Sequence, residues 1–131
     1  MSDILHPAGW IKPRGYAHGI AATGRYVAVA GQIGWNERGE FAGDDFVSQA
    51  AQSLRNIVDI LAEGHAKPEH IVRMTWYVTD KGEYLAAARA LGTLYRQIIG
   101  AHYPPMTLVE VAGLLEDRAK VEIEATAVVP T

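Results

Sequence analysis

"IVRMTWYV", Ile71 to Val78, is the stretch on which the fold turns. It is rich in β-branched and aromatic side chains, which suit a pleated, half-buried surface, so it predicts a strand. Alternation puts Val72, Met74, Trp76 and Val78 on one face and Ile71, Arg73, Thr75 and Tyr77 on the other. Neither face is cleanly polar. A sheet built around such a strand is costly to leave with one side in water, so both sides need cover.

The flanking segments supply cover for one side only. Upstream, Val47, Ala50, Leu54, Ile57, Val58 and Leu61 recur at helical spacing. Asp44 or Asp45 can cap that helix, which runs to about Glu63 and stops at Gly64. Downstream, a second helix is predicted from about Gly82 to Ile99, with Tyr84, Leu85, Ala88, Leu91, Tyr95 and Ile98 inward. Two more strands follow in "MTLVEVAGL" and "AKVEIEATAVV". In the first, Met106, Leu108 and Glu110 face away from Thr107, Val109 and Val111. Near the N-terminus, "ILHPAGWIKPRGYAHG" reads as an irregular arm, and "HGIAATGRYVAVAGQIG" as a hairpin around Thr23-Gly24-Arg25. The order is strand, strand, helix, strand, helix, strand, strand. That predicts one α+β domain over residues 1–131, a sheet of at least five strands with two helices on one face. The other face is expected against a neighbouring subunit.

Composition narrows the chemistry. The chain has 131 residues, 49% hydrophobic and 21% charged, which is enough for a real core. Twelve basic and fifteen acidic residues give a net charge of −3 with no basic stripe, so nucleic acid is not an expected partner. With no cysteine, disulfides, thiol catalysis and thiolate metal sites are excluded. No secretory leader or membrane span is read in the sequence, and a cytoplasmic location is expected.

The five histidines, at positions 6, 18, 65, 70 and 102, show no HxH or HxxxH spacing, so no metal is expected. Walker, GxGxxG and GxSxG motifs are absent. The last strand is more suggestive. Glu122 and Glu124 share a face, with Val121, Ile123, Ala125 and Ala127 on the core side. On an isolated sheet they form a solvated face; at a subunit interface a carboxylate must be paired, hydrated or used. Tyr16 either pins its glycine-flanked arm or lines a pocket. Trp35 and Tyr103, on expected loops, suit packing or ligand contact equally.

The motifs "GY" at Gly15-Tyr16, "VAGQIG" at 29–34 and "QAAQSLRNI" at 49–57 occur in order with three more. These are "HIVRMTWYVTD" at 70–80, "YPPMTLVEV" at 103–111 and "VEIEATAV" at 121–128. In order and spacing the chain resembles the YjgF/RidA family of reactive-intermediate deaminases over nearly its whole length. The resemblance implies a chorismate-mutase-like α+β fold and a homotrimer whose sheets enclose a barrel with the helices outside. It also implies sites in the clefts between subunits. The implied activity is hydrolysis of enamines and imines to ammonia and a keto acid, with no metal or organic cofactor. Residue by residue, the family glutamate falls on Glu122 and the arm tyrosine on Tyr16. The serine before the GQ step falls on Ala30, next to Gly31, so its hydroxyl is missing. The carboxylate-clamping arginine falls on Met106.

A methionine cannot replace a charge-assisted hydrogen bond worth roughly 1.5–3 kcal/mol. An altered deaminase is therefore one expectation, with Met106, Trp35 and Tyr103 forming an apolar pocket for a small-molecule ligand. Any substrate acid would meet Arg14, Lys12 or Arg73. The alternative is a non-catalytic trimer binding a small molecule in the same cleft. Nucleic-acid work, which the names of some relatives suggest, fits the acidic chain least.

Overall fold

The computed structural model describes residues 2–131. Its strands are β1 (Ser2–Leu5), β2 (Gly19–Ala22), β3 (Arg25–Gln32), β4 (Ile71–Val78), β5 (Met106–Glu110) and β6 (Val121–Val129). Its helices are α1 (Phe46–Glu63), α2 (Lys81–Ala86) and α3 (Ala88–Ile98). The main sheet has the order β3-β6-β4-β5, antiparallel except for the parallel β4–β5 pair, across which α2 and α3 make the crossover. The mixed α+β architecture predicted from the sequence is the one observed.

Helix α1 forms where its apolar spacing placed it. The Asp45 carboxylate accepts from the Ser48 amide at 2.9 Å, and Gly64 follows as the C-cap. Leu54, Ile57 and Leu61 are fully buried against Ile71, Met74, Val78 and Ile123. Gly34 permits close approach, since a side chain there would overlap the backbone of Gln49. Buried Gln49 is fully used: Nε2 donates to the carbonyls of Gly43 and Arg118, both at 3.1 Å, and Oε1 accepts from the Lys120 amide at 2.8 Å. One helix residue thus fixes the entry of β6 two residues before Glu122.

Four expectations need correction. β2 and β3 do not form a hairpin: β2 pairs with β1 in a separate two-stranded sheet, so Ser2–Leu5, partly read as arm, is a strand. The turn joins two sheets because the nine-residue β6 offers β3 a longer partner than its four-residue neighbour does. The main sheet accordingly has four strands, not five. A bulge at Val72 shifts the register of β4, so Ile71 joins Met74, Trp76 and Val78 in the core. Finally, the second helix is interrupted at Ala87, where the backbone leaves helical geometry. The buried stripe is narrower than its periodicity suggested, leaving Leu85 66% exposed and Ala88 exposed, while Leu94 and Ile99 turn inward.

The second sheet face is open in the isolated chain. Tyr26 and Ala30 of β3, Arg73 of β4, and Thr107 and Val109 of β5 are exposed there. Thr75, Tyr77, Glu122, Glu124 and Thr126 of that face are half-buried.

Candidate functional site

The two glutamates of β6 are placed alike and used differently. Glu124 accepts a short hydrogen bond from the Tyr77 hydroxyl, which holds that phenol above its usual range. Glu122 takes no hydrogen bond or ion pair among the described residues, although it is half-buried. It lies over Gly31, where an added Cβ would stand 2.8 Å from the Glu122 carboxyl carbon. The approach comes from an irregularity in the β3–β6 register between Val29 and Gln32, which brings Gly31 beside the carboxylate. A half-buried, unpaired carboxylate beside bare backbone is suited to holding water or a ligand proton.

A second group gathers at the other end of the sheet. Tyr16 and Met106 share a small cleft of about 150 Å³ with His18, Arg73 and Thr107. Tyr16 meets His18 edge-on, with ring centroids 5.7 Å apart, and the arm is held by the Ala17 amide donating to Pro104 O. Arg73 makes no ion pair among the described residues. Of the three cations considered from sequence, it is the one sharing this cleft with Met106; Lys12 and Arg14 border a shallower groove along the arm.

Met106 also walls a cavity on the helix side of the sheet, of about 160 Å³, shared with Met74, Trp76, Tyr84, Tyr95 and Tyr103. Tyr95 and Tyr103 stack at 5.5 Å, and the Tyr95 hydroxyl donates to His102 O at 2.7 Å. Burial raises the Tyr84 hydroxyl above its usual range and pushes that of Tyr95 well above it. Trp76, only 4% exposed, has an indole N–H with no acceptor among the described residues. Sequence alternation put Trp76 on one face with Val72, Met74 and Val78 but did not say that this face was the core, and carried no sign of the unpaired donor. His18 was likewise not singled out; it lies two residues after Tyr16 on the same arm.

The remaining candidates divide between these regions. Tyr103 joins Met106. Trp35 does not: it lies beyond the Glu122 end of β3, tilted against Phe41, with its carbonyl accepting from Asn56 Nδ2 at 2.8 Å. Glu122 and Met106 are also apart within one chain. Their ladder partners are Tyr77 and Met74, three residues apart on β4, and two strand spacings separate them, so their Cα atoms stand about 14 Å apart. Their side chains leave opposite faces. No group of three or more histidine, aspartate or glutamate side chains suited to a metal occurs among the described residues, and no helix there is long and apolar enough to cross a membrane.

Comparison with known proteins gives one consistent result. The profile of the family described as endoribonuclease L-PSP matches residues 11–129. A 2-iminobutanoate/2-iminopropanoate deaminase of Salmonella typhimurium is 34% identical over 113 residues, 86% of each chain. A RutC family protein of Haemophilus influenzae is 32% identical over 128 residues, 98% of each. Among solved structures, the Rid-family protein YyfB of Yersinia pestis superposes with a TM-score of 0.83 at 29% identity, covering 98% of both chains. The YjgF product of E. coli gives 0.71 at 33% identity, covering 86% of this chain and 87% of that one. With the fold, the motif order and these matches in agreement, the chain belongs to the endoribonuclease L-PSP family, that of the YjgF, RidA and RutC proteins.

Proposed function

We propose that this protein is a hydrolytic deaminase acting on an enamine, an imine or a related small electrophile, in a cleft completed by a second subunit of a homotrimer. The observation that carries this reading is Glu122, half-buried, unpaired among the described residues and seated over Gly31, while its neighbour Glu124 is taken up by Tyr77. In hydrolysis Glu122 accepts a proton from water as its oxygen bonds to the C=N carbon. The imine nitrogen takes up a proton from solvent as the π bond opens. Glu122 returns its proton to that nitrogen, the C–N bond breaks, and ammonia leaves as the carbinol hydroxyl gives its proton to solvent and the carbonyl forms. Tyr16 closes the cleft from the arm. No metal or organic cofactor is required by these steps.

Met106 sets the substrate range. Without the arginine the family resemblance implies, a small 2-imino acid loses its carboxylate clamp. The cation lining the Tyr16–Met106 cleft is Arg73, unpaired among the described residues, and a single exposed guanidinium binds less tightly than a desolvated bidentate fork. An apolar side chain on the substrate gains contact with the Met106 thioether instead.

The test is ammonia release from freshly generated imines with small or bulky apolar side chains, using the wild type and Met106→Arg. The wild type is expected to accelerate the bulky substrates at least tenfold more than the small ones. Met106→Arg should raise the small-substrate rate by about tenfold or more, as a charged hydrogen bond of roughly 1.5–3 kcal/mol implies. The loss of both the arginine and the serine hydroxyl, at Met106 and Ala30, supports a second reading, a trimer that binds small molecules without turnover. No acceleration of any imine by either folded protein would favour that reading and sink the first.

A further inference from the structure

The Tyr77–Glu124 hydrogen bond takes a diagonal course across two strands. In the β4–β6 register Tyr77 stands opposite Glu122, and Thr75 stands opposite Glu124. Directly opposed side chains are the nearest neighbours on a sheet face, with Cβ atoms roughly 4.5–5.5 Å apart. Yet the Tyr77 hydroxyl leaves its own ladder partner and donates to Glu124 instead. Both carboxylates act on that hydroxyl: the bond to Glu124 contributes most to raising it, and the charge of Glu122 adds to the effect. It therefore stays protonated at neutral pH, with one proton to give. Glu122 and Glu124 share a strand and a face and are both half-buried. Gly31 leaves room for Glu122, but the direction of the Tyr77 proton is what leaves it unbonded.

We propose that Tyr77 is a positioning residue that decides which of the two carboxylates is free: by committing its only proton to Glu124, it keeps Glu122 available as the base. The inference rests on Glu122 serving as the base of the proposed hydrolysis. Two alternatives are suppressed by this arrangement. A phenol turned towards Glu122 would occupy the carboxylate that must accept from water. A Glu124 without its phenol would be a second unbonded carboxylate beside Glu122, repelling it and competing for the same water. Tyr77 acts through the two glutamates and takes no part in the bond-making steps.

A double-mutant cycle provides the test. Tyr77→Phe keeps the ring but frees Glu124. Glu124→Ala removes the acceptor and turns the phenol proton to Glu122. The double variant has neither the donor nor the competing carboxylate. On whichever imine the wild type hydrolyses, each single variant is expected to lose about tenfold or more in kcat, with KM changed less than about twofold. The double variant should recover to within about threefold of the wild type. A pair that only braces the sheet predicts the reverse, a double variant at least as impaired as either single one. Full activity in either single variant, or a double variant no better than both, would overturn the proposal. Glu122 is also followed without turnover, by the carboxyl ¹³C resonance of the full chain labelled with 5-¹³C-glutamate and assigned by its loss in Glu122→Gln. That resonance is expected to shift in both single variants and to return in the double variant. If it does so while the wild type hydrolyses no imine, the reaction is wrong and the hold of Tyr77 on Glu122 stands. A resonance unmoved by either single substitution overturns the proposal even in an active enzyme. Should Tyr77→Phe fail to fold, Glu124→Ala decides alone, through the capture of Glu122 or its absence.

Discussion

Gly31 and Glu122 illustrate how one residue depends on the absence of another's side chain. Gly31 has ordinary backbone geometry, so its role is spatial: a methyl group there would overlap the flexible end of Glu122. Displacing a half-exposed carboxylate to another rotamer costs about 1 kcal/mol. Gly31→Ala is therefore expected to lower stability by no more than about 1 kcal/mol, while reducing ammonia release at least tenfold on whichever imine the wild type hydrolyses. Thermal melts and the rate assay read the two effects separately, and a folded Gly31→Ala enzyme with full activity would remove Glu122 from the reaction. Trp76 shows the converse, a donor without a partner among the described residues. An unsatisfied buried group costs about 1–3 kcal/mol, and the alternation, which set Trp76 on a face with Met74 and Val78 without deciding which face was the core, held no sign of it.

The elements divide by whether local or distant partners decided them. Helix α1 was readable almost to its ends because apolar spacing, an acidic cap and a terminal glycine act within the segment itself. The β2–β3 hairpin misled because its turn residues are equally compatible with joining two sheets, and the pairing was decided by β6, nearly a hundred residues away. The bulge at Val72 is likewise set by register with Ala127 and Thr126, not by anything within β4. The cap makes a testable point. Hydrogen bonds from Ser48 hold the Asp45 carboxyl below its ordinary value of 3.8, so its stabilisation is present above that pH and fades as pH falls through the lowered value. At neutral pH Asp45→Ala should cost about 1 kcal/mol. The gap in melting temperature between the two proteins should narrow as the pH is taken progressively below 3.8. A gap that persists unchanged in acid would assign the loss to helix propensity or packing rather than to the charged cap.

At the scale of the whole molecule, the open sheet face and the divided site pose one question. The sequence revealed that face through the mixed polarity of β4, and the motif order identified Glu122, Tyr16 and Met106 as candidates. It could not reveal that Glu122 and Met106 leave opposite faces of one sheet, because that depends on two strand pairings and their registers. If these residues serve one cleft, as proposed, two chains must supply them. The chain contains no cysteine, which makes the claim directly accessible. A double variant, Glu122→Cys with Met106→Cys, treated with a short bis-maleimide and run on a denaturing gel, is the decisive measurement. Adjacent subunits facing each other across the cleft predict a covalent ladder ending at three chains of 14.2 kDa, absent from either single variant. A band at single-chain mass alone, with both thiols consumed, would contradict the shared cleft.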